Sequence, residues 1–289
     1  MVASEVPGGS SAVATSALLT PWPTRPSRLR SYVNLTRELA VTSFKLKYAG
    51  SILGYVWSLI KPLMVFGMLY LIFALFLLRG RTTAQENFPV ELLVGIVIWT
   101  FFADATVSSL AAIVSNGDMI RKAYFARWIL VIASNLSAAM TLGVNAALVL
   151  VLGLVFNWYH LGWHSLLAVP LLLELYLLTL GIGLILAAVF VYYRDLGHIW
   201  EIVLQMIFYS SAIVFPFALI PGGLQVFAAM NPIAQIIEDM RRALVTSSIP
   251  WTSDLLGVRM IVPSGIVLVT LVVGATAFRR LSLRFGERL

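Results

Sequence analysis

The chain has 289 residues, 60% hydrophobic and 11% charged, with a formal net charge of +7 and a mean hydropathy of +0.92. Soluble domains carry about a quarter charged residues, so this composition excludes a single large soluble core and indicates a membrane protein. The basic residues are not gathered on one polar module with interleaved aromatics, which argues against a nucleic-acid partner. The absence of cysteine excludes disulfides, iron–sulfur clusters and thiolate metal sites.

Residues 1–34 are rich in Ser, Ala and Pro and include PWPTRPSRLR. They lack a sustained apolar stretch followed by a small-residue cleavage site, so they read as a flexible, basic cytoplasmic tail rather than a signal peptide. From Leu35 an apolar stripe follows: Leu35, Leu39, Thr42, Leu46, Ala49, Leu53, Val56 and Ile60, spaced by threes and fours. That is the helical period. Arg37, Glu38, Lys45 and Lys47 lie off the stripe. An apolar face beside a basic one predicts an interfacial helix over about 35–56, with lysines at its borders reaching toward phosphates. Gly50, Gly54 and Ser58 recur every four residues, the spacing of a small-residue packing seam.

Six stretches then have the length and apolarity of a membrane span: about 59–78, 92–114, 128–156, 166–192, 199–220 and 261–278. Between the last two, 221–245 is apolar but broken by Pro221, Gly222, Gly223 and Pro232. It predicts two short re-entrant helices in the outer leaflet, with Asn231 as a helix cap and Pro232 at the first helical position. With the N-terminus inside, 15 of the 20 basic residues fall on the cytoplasmic side and five outside, so both termini are expected in the cytoplasm.

Charged residues inside spans are costly, and are functional candidates by default. Asp104, beside Thr106, Ser108 and Ser109, either lines a path or pairs between helices. Glu174, among apolar neighbours, reads as an interhelical hydrogen bond. The aromatics Phe66, Tyr70, Phe73 and Phe76 of the first span and Trp99, Phe101 and Phe102 of the second can stack on sugar rings or fill packing space. Trp158, Tyr159 and Trp163 read as an outer interfacial belt. His160 and His164 have helical spacing but no third ligand, so no metal is expected. Arg194 and Asp195 read as a local pair at the end of the fourth span. No stretch fits GxxxxGK[ST], so no ATP site is expected in this chain.

The motif SxLGxxWSLIKP (Ser51, Leu53, Gly54, Trp57, Ser58, Leu59, Pro62) resembles the membrane subunit of ABC-2 type exporters of polysaccharides. So do SLAAIVSNGDMIRKAYFAR, the RDL at 194–196 and the late IP…NPIAQIIEDMRRAL, in the same order. The resemblance covers roughly residues 35–285. The family often has Phe-Pro-Arg where this chain has Phe125-Ala126-Arg127, and a more Arg-rich approach to the first span.

That resemblance implies an all-α, six-span fold of the ABC-2 (type V exporter) kind, forming a homodimer in the cell membrane with two copies of a separate ATPase that holds ATP and Mg. It implies export of a polyprenyl-diphosphate-linked glycan such as O-antigen, teichoic acid or galactan, in cell-wall biogenesis. Arg37, Lys45 and Lys47 would meet the lipid diphosphate. Asp118, Arg121, Lys122 and Arg127 would couple to the ATPase. Phe66, Tyr70, Phe73, Trp99, Phe102 and Asp104 would line the channel, and Arg194 and Asp195 its cytosolic rim. An exporter of drugs or small lipids, and a membrane-embedded carrier-lipid transferase, are the alternatives.

Overall fold

The computed structural model describes residues 28–76, 87–122, 125–156, 162–214, 217, 220–246, 249–283 and 285. Trp158, Tyr159, His160 and most of the N-terminal tail lie outside them, as does the Phe76 side chain. The described residues form helices without strands. Five segments are long and apolar enough to cross a membrane: Gly54–Phe73, Phe88–Ala111, Trp128–Val155, Trp163–Phe190 and Thr252–Ser282.

Helix α1 (Arg28–Tyr48) packs along α5 (Trp128–Val155). It begins earlier and ends earlier than the apolar stripe implies. The reason is local: Gly50 adopts φ +77° and Gly54 φ +46°, and an added Cβ at either would meet nothing within 4 Å. These glycines turn the chain rather than admit a neighbouring helix. A short 3₁₀ turn, Gly54–Val56, then leads into α2 (Trp57–Phe76), with Pro62 inside its second turn.

Helix α3 (Phe88–Ala111) is the centre of the bundle, touching α2, α5, α6 (Ala168–Phe190) and α9 (Pro232–Leu244). Its buried apolar side chains, from Phe88 to Ala105, form the main core with Leu175, Leu178, Ile233, Ile236 and Ile237. The six-residue α4 (Gly117–Lys122) joins α3 to α5. Helices α6 and α11 (Ile261–Ser282) pack closely where two glycines meet. A Cβ on Gly274 would lie 2.3 Å from the Gly181 carbonyl oxygen, and one on Gly181 would lie 2.7 Å from the Leu271 nitrogen.

The stretch expected to span at 199–220 is divided. Helix α7 (Leu196–Ser210) has 15 residues, about 22 Å at 1.5 Å per residue and short of a hydrocarbon core of about 30 Å. The backbone then breaks at Ala212, which has φ 52°. Two short helices follow, α8 (Gly222–Ala229) and α9, and a third, α10 (Thr252–Leu256), leads toward α11. Asn231 caps α9, its Oδ1 accepting the Ile233 N–H at 3.0 Å, with Pro232 at the first helical position.

Candidate functional site

Polar side chains collect at both ends of this bundle. At one end lie α1, α4, the start of α5 and the end of α11. Tyr32 meets Trp128 edge-on at 6.1 Å, and Tyr192 donates its hydroxyl to the Leu281 carbonyl at 3.0 Å. Arg127 donates to the Ser282 carbonyl and lies 5.8 Å from the Phe285 ring centroid. It therefore links the loop after α4 to the end of α11. On α4 itself, Asp118, Arg121 and Lys122 are exposed while Ile120 packs inward. That is a short helix anchored by one apolar residue, presenting both signs of charge.

Lys47 pairs with Asp104 across α1 and α3. Their side chains are 33% and 27% exposed, so the pair adds little to stability and remains open to exchange. Lys47 also lines a cleft of about 260 Å³ with Ser43, Ser108, Ser115, Asn116, Ser134 and Ser137. One ammonium beside several hydroxyls and an amide suits a phosphate or a sugar. Behind the cleft, Asn135 donates to the Ser109 hydroxyl at 2.5 Å. Lys45 and Arg37 are exposed on α1; Arg37 borders a mainly apolar groove with Tyr32, Val33 and Trp128.

The aromatic candidates divide. Phe102 is fully buried, and Trp99 packs on Phe102 and Phe208 at 5.6 and 5.4 Å. Phe66 stacks on Tyr70 at 5.7 Å, Phe73 meets Phe88 at 6.5 Å, and Tyr70 is 39% exposed. Of these, Tyr70 presents the most open ring. Arg194 lies over the Phe190 ring at 5.4 Å, and Asp195 is exposed beside it; the ion pairs among the described residues do not join these two.

The opposite end carries a network that the sequence did not single out. Arg241 on α9 is buried, and its Nε donates to the Glu91 carbonyl at 3.0 Å. Nη1 reaches the Ala212 carbonyl at 3.1 Å and Glu238 Oε2 at 3.0 Å, while Nη2 reaches the Ile213 carbonyl at 2.6 Å. The guanidinium thus satisfies carbonyls released where the chain breaks after α7, which buried backbone requires. Glu238 Oε1 accepts the Phe217 N–H at 3.4 Å. Asp239 accepts the Thr252 N–H at 2.8 Å and the Gln235 amide at 2.8 Å. The sequence signal was present in PIAQIIEDMRRAL: Gln235 and Asp239 are four apart, and Glu238 and Arg241 are three apart, in an apolar setting.

The fold and this distribution of polar groups define a multi-pass, all-α membrane protein with a charged end able to meet another protein. The model of the ABC-2 type transporter family matches residues 34–245, and the chain belongs to that family. It is similar to the O-antigen export system permease protein RfbA of Klebsiella pneumoniae, 27% identical over 250 residues that cover 85% of this chain and 91% of that protein. RfbA of Myxococcus xanthus is 25% identical over 79% of this chain and 86% of its own length. The polysialic acid transport protein KpsM of Escherichia coli is 25% identical over 78% of this chain and 85% of its own.

Proposed function

We propose that this chain is the membrane-spanning permease subunit of an ATP-driven exporter carrying a polyprenyl-diphosphate-linked polysaccharide out of the cytoplasm. The observation that carries the reading is similarity along most of both chains to permeases named for O-antigen export and for polysialic acid transport. Two copies of the chain would work with two copies of a separate ATPase, which binds ATP and Mg. Exposed apolar side chains on α2, including Met64, Met68 and Leu71, support a surface shared with lipid and a second copy.

The α1–α4 end faces the cytoplasm in this reading. The ATPase would press on α4 through Asp118, Arg121 and Lys122, and Arg127 would pass that motion to α11 through Ser282. Lys45, Lys47 and Arg37 would meet the diphosphate, with the serine-lined cleft beside Lys47 accepting its oxygens. Arg194 and Asp195 would border the cytosolic entrance, and Tyr70 would face the passing glycan.

Depletion of the chain in its own host tests the reading. Lipid extracts should accumulate a diphosphate-linked glycan on the cytoplasmic side, identifiable by mass spectrometry. An unchanged pool of lipid-linked glycan in cells that have become sensitive to small amphiphiles would overturn it in favour of a drug or lipid exporter.

A further inference from the structure

Between the start of α5 and the end of α11 the bundle has a groove of about 690 Å³. Leu184 of α6 and Phe278 of α11, both buried, form its floor, while Trp128, Ile132, Ala275 and Leu283 form apolar walls. Arg127 and Arg279 stand at its rim. Ile132 lies just over one helical turn beyond Arg127, and Ala275 one turn before Arg279, so the apolar walls run about 6–8 Å deeper into the spans than the charges. The groove beside Arg37, about 540 Å³, shares Trp128 and Ile132 with this one. Two apolar slots therefore meet at one pair of side chains, each bordered by guanidinium.

Both rim arginines are available to an anion. Arg127 gives one N–H to the Ser282 carbonyl, and the rest of its fork has no further hydrogen-bond acceptor among the described residues; Arg279 is exposed. The ion pairs among the described residues include neither arginine, and no carboxylate among those residues lines either groove. Guanidinium forks match phosphate oxygens two at a time. Basic pockets between spans, at their ends, are the setting in which anionic lipid headgroups are held. A soluble partner could reach the arginines but not the walls, because α5 and α11 are long and apolar enough to lie in lipid. Paired slots suit the two tails of a phospholipid better than the single chain of a polyprenyl carrier.

We propose that this seam holds one anionic phospholipid, its phosphate between Arg127 and Arg279 and its tails along Trp128 and Ile132, bridging α5 and α11 where Arg127 already ties them. The site shares no lining residue with the Lys47 cleft and is independent of which cargo is carried. The test titrates the purified full chain in non-ionic detergent with phosphatidylglycerol or phosphatidylcholine and counts retained lipid by native mass spectrometry. Wild type should retain one phosphatidylglycerol per chain at concentrations where phosphatidylcholine is lost. Arg279→Gln should weaken that retention about fivefold. Arg280→Gln, one residue on and outside the groove lining, should change it less. Ala275→Trp fills the apolar wall without altering a charge; it should displace the lipid and remove the rise in melting temperature that phosphatidylglycerol gives wild type. Equal retention of both lipids, equal effects of Arg279→Gln and Arg280→Gln, or undiminished retention by Ala275→Trp would overturn the site. Displacement of the phosphatidylglycerol by an equimolar polyprenyl phosphate would overturn the phospholipid as occupant and give the groove to the carrier lipid.

Discussion

Arg241 shows how one side chain can hold a break in a helix. Its four acceptors come from α3, from the turn after α7 and from its own helix, and the side chain is buried among them. Lysine carries the same charge but has no planar fork, so Arg241→Lys should leave carbonyls at Ala212 or Ile213 unpaired. Arg241→Met should be worse, stranding Glu238 as well, and the loss of one partner from a buried pair costs about 3–5 kcal/mol. Thermal melting of purified protein should rank wild type above Arg241→Lys above Arg241→Met; equal midpoints would show that the network is not structural. Asn231 was legible in the sequence because a cap acts on the residue two positions ahead. The Arg241 network was not, because Ala212 and Ile213 lie nearly thirty residues away and Glu91 lies 150 away. Lys47 and Asp104 were each visible as charges, but their pairing depends on how α1 lies along α5, which brings Lys47 to α3.

Among the elements, the contact of α6 with α11 is the tightest test of helix packing. Apolar side chains do not drive helices together in lipid as they do in water, so close backbone approach carries more of the association. Gly274→Ala would drive a methyl into the Gly181 carbonyl, 2.3 Å away, and neither backbone can yield without parting the helices. Gly265, on the same helix, has nothing within 4 Å of an added Cβ. Gly265→Ala should therefore be neutral or stabilising by about 0.5–1 kcal/mol, since alanine favours the helix. Gly274→Ala should lower the melting temperature clearly, and a result matching Gly265→Ala would mean that the two helices separate freely. Apolar content revealed most of the spans, because hydropathy reports transfer into lipid directly. It did not reveal the end of α7, since Ser211 to Val214 are as acceptable to a span as to a turn. Nor did periodicity stop at Tyr48: side-chain pattern continues through Gly50, whereas the backbone does not.

For the molecule as a whole, the two polar ends must lie on opposite faces of the membrane. Helices α3, α6 and α11 each start at the α9–α10 end, while α5 starts beside α1; Arg127 and Tyr192 make their contacts at the α1 end and Arg241 makes its own at the α9 end. Fifteen of 20 basic residues belong to the α1–α4 side when the spans are counted from sequence, and the proposed orientation puts that side in the cytoplasm on this ground. The cysteine-free chain makes this directly measurable. Met119 on α4 is 36% exposed, and Ser253 on α10 is exposed, so Met119→Cys and Ser253→Cys each place a single thiol at one end. A maleimide that cannot cross the membrane should label Ser253→Cys in intact cells stripped of any outer barrier, and Met119→Cys only in inverted vesicles. Labelling of both from one side would break the arrangement of spans, and with it the placement of α4 against a cytosolic ATPase. Exchanged labelling would keep the bundle but reverse its direction, putting the Lys47 cleft on the side where a finished glycan leaves.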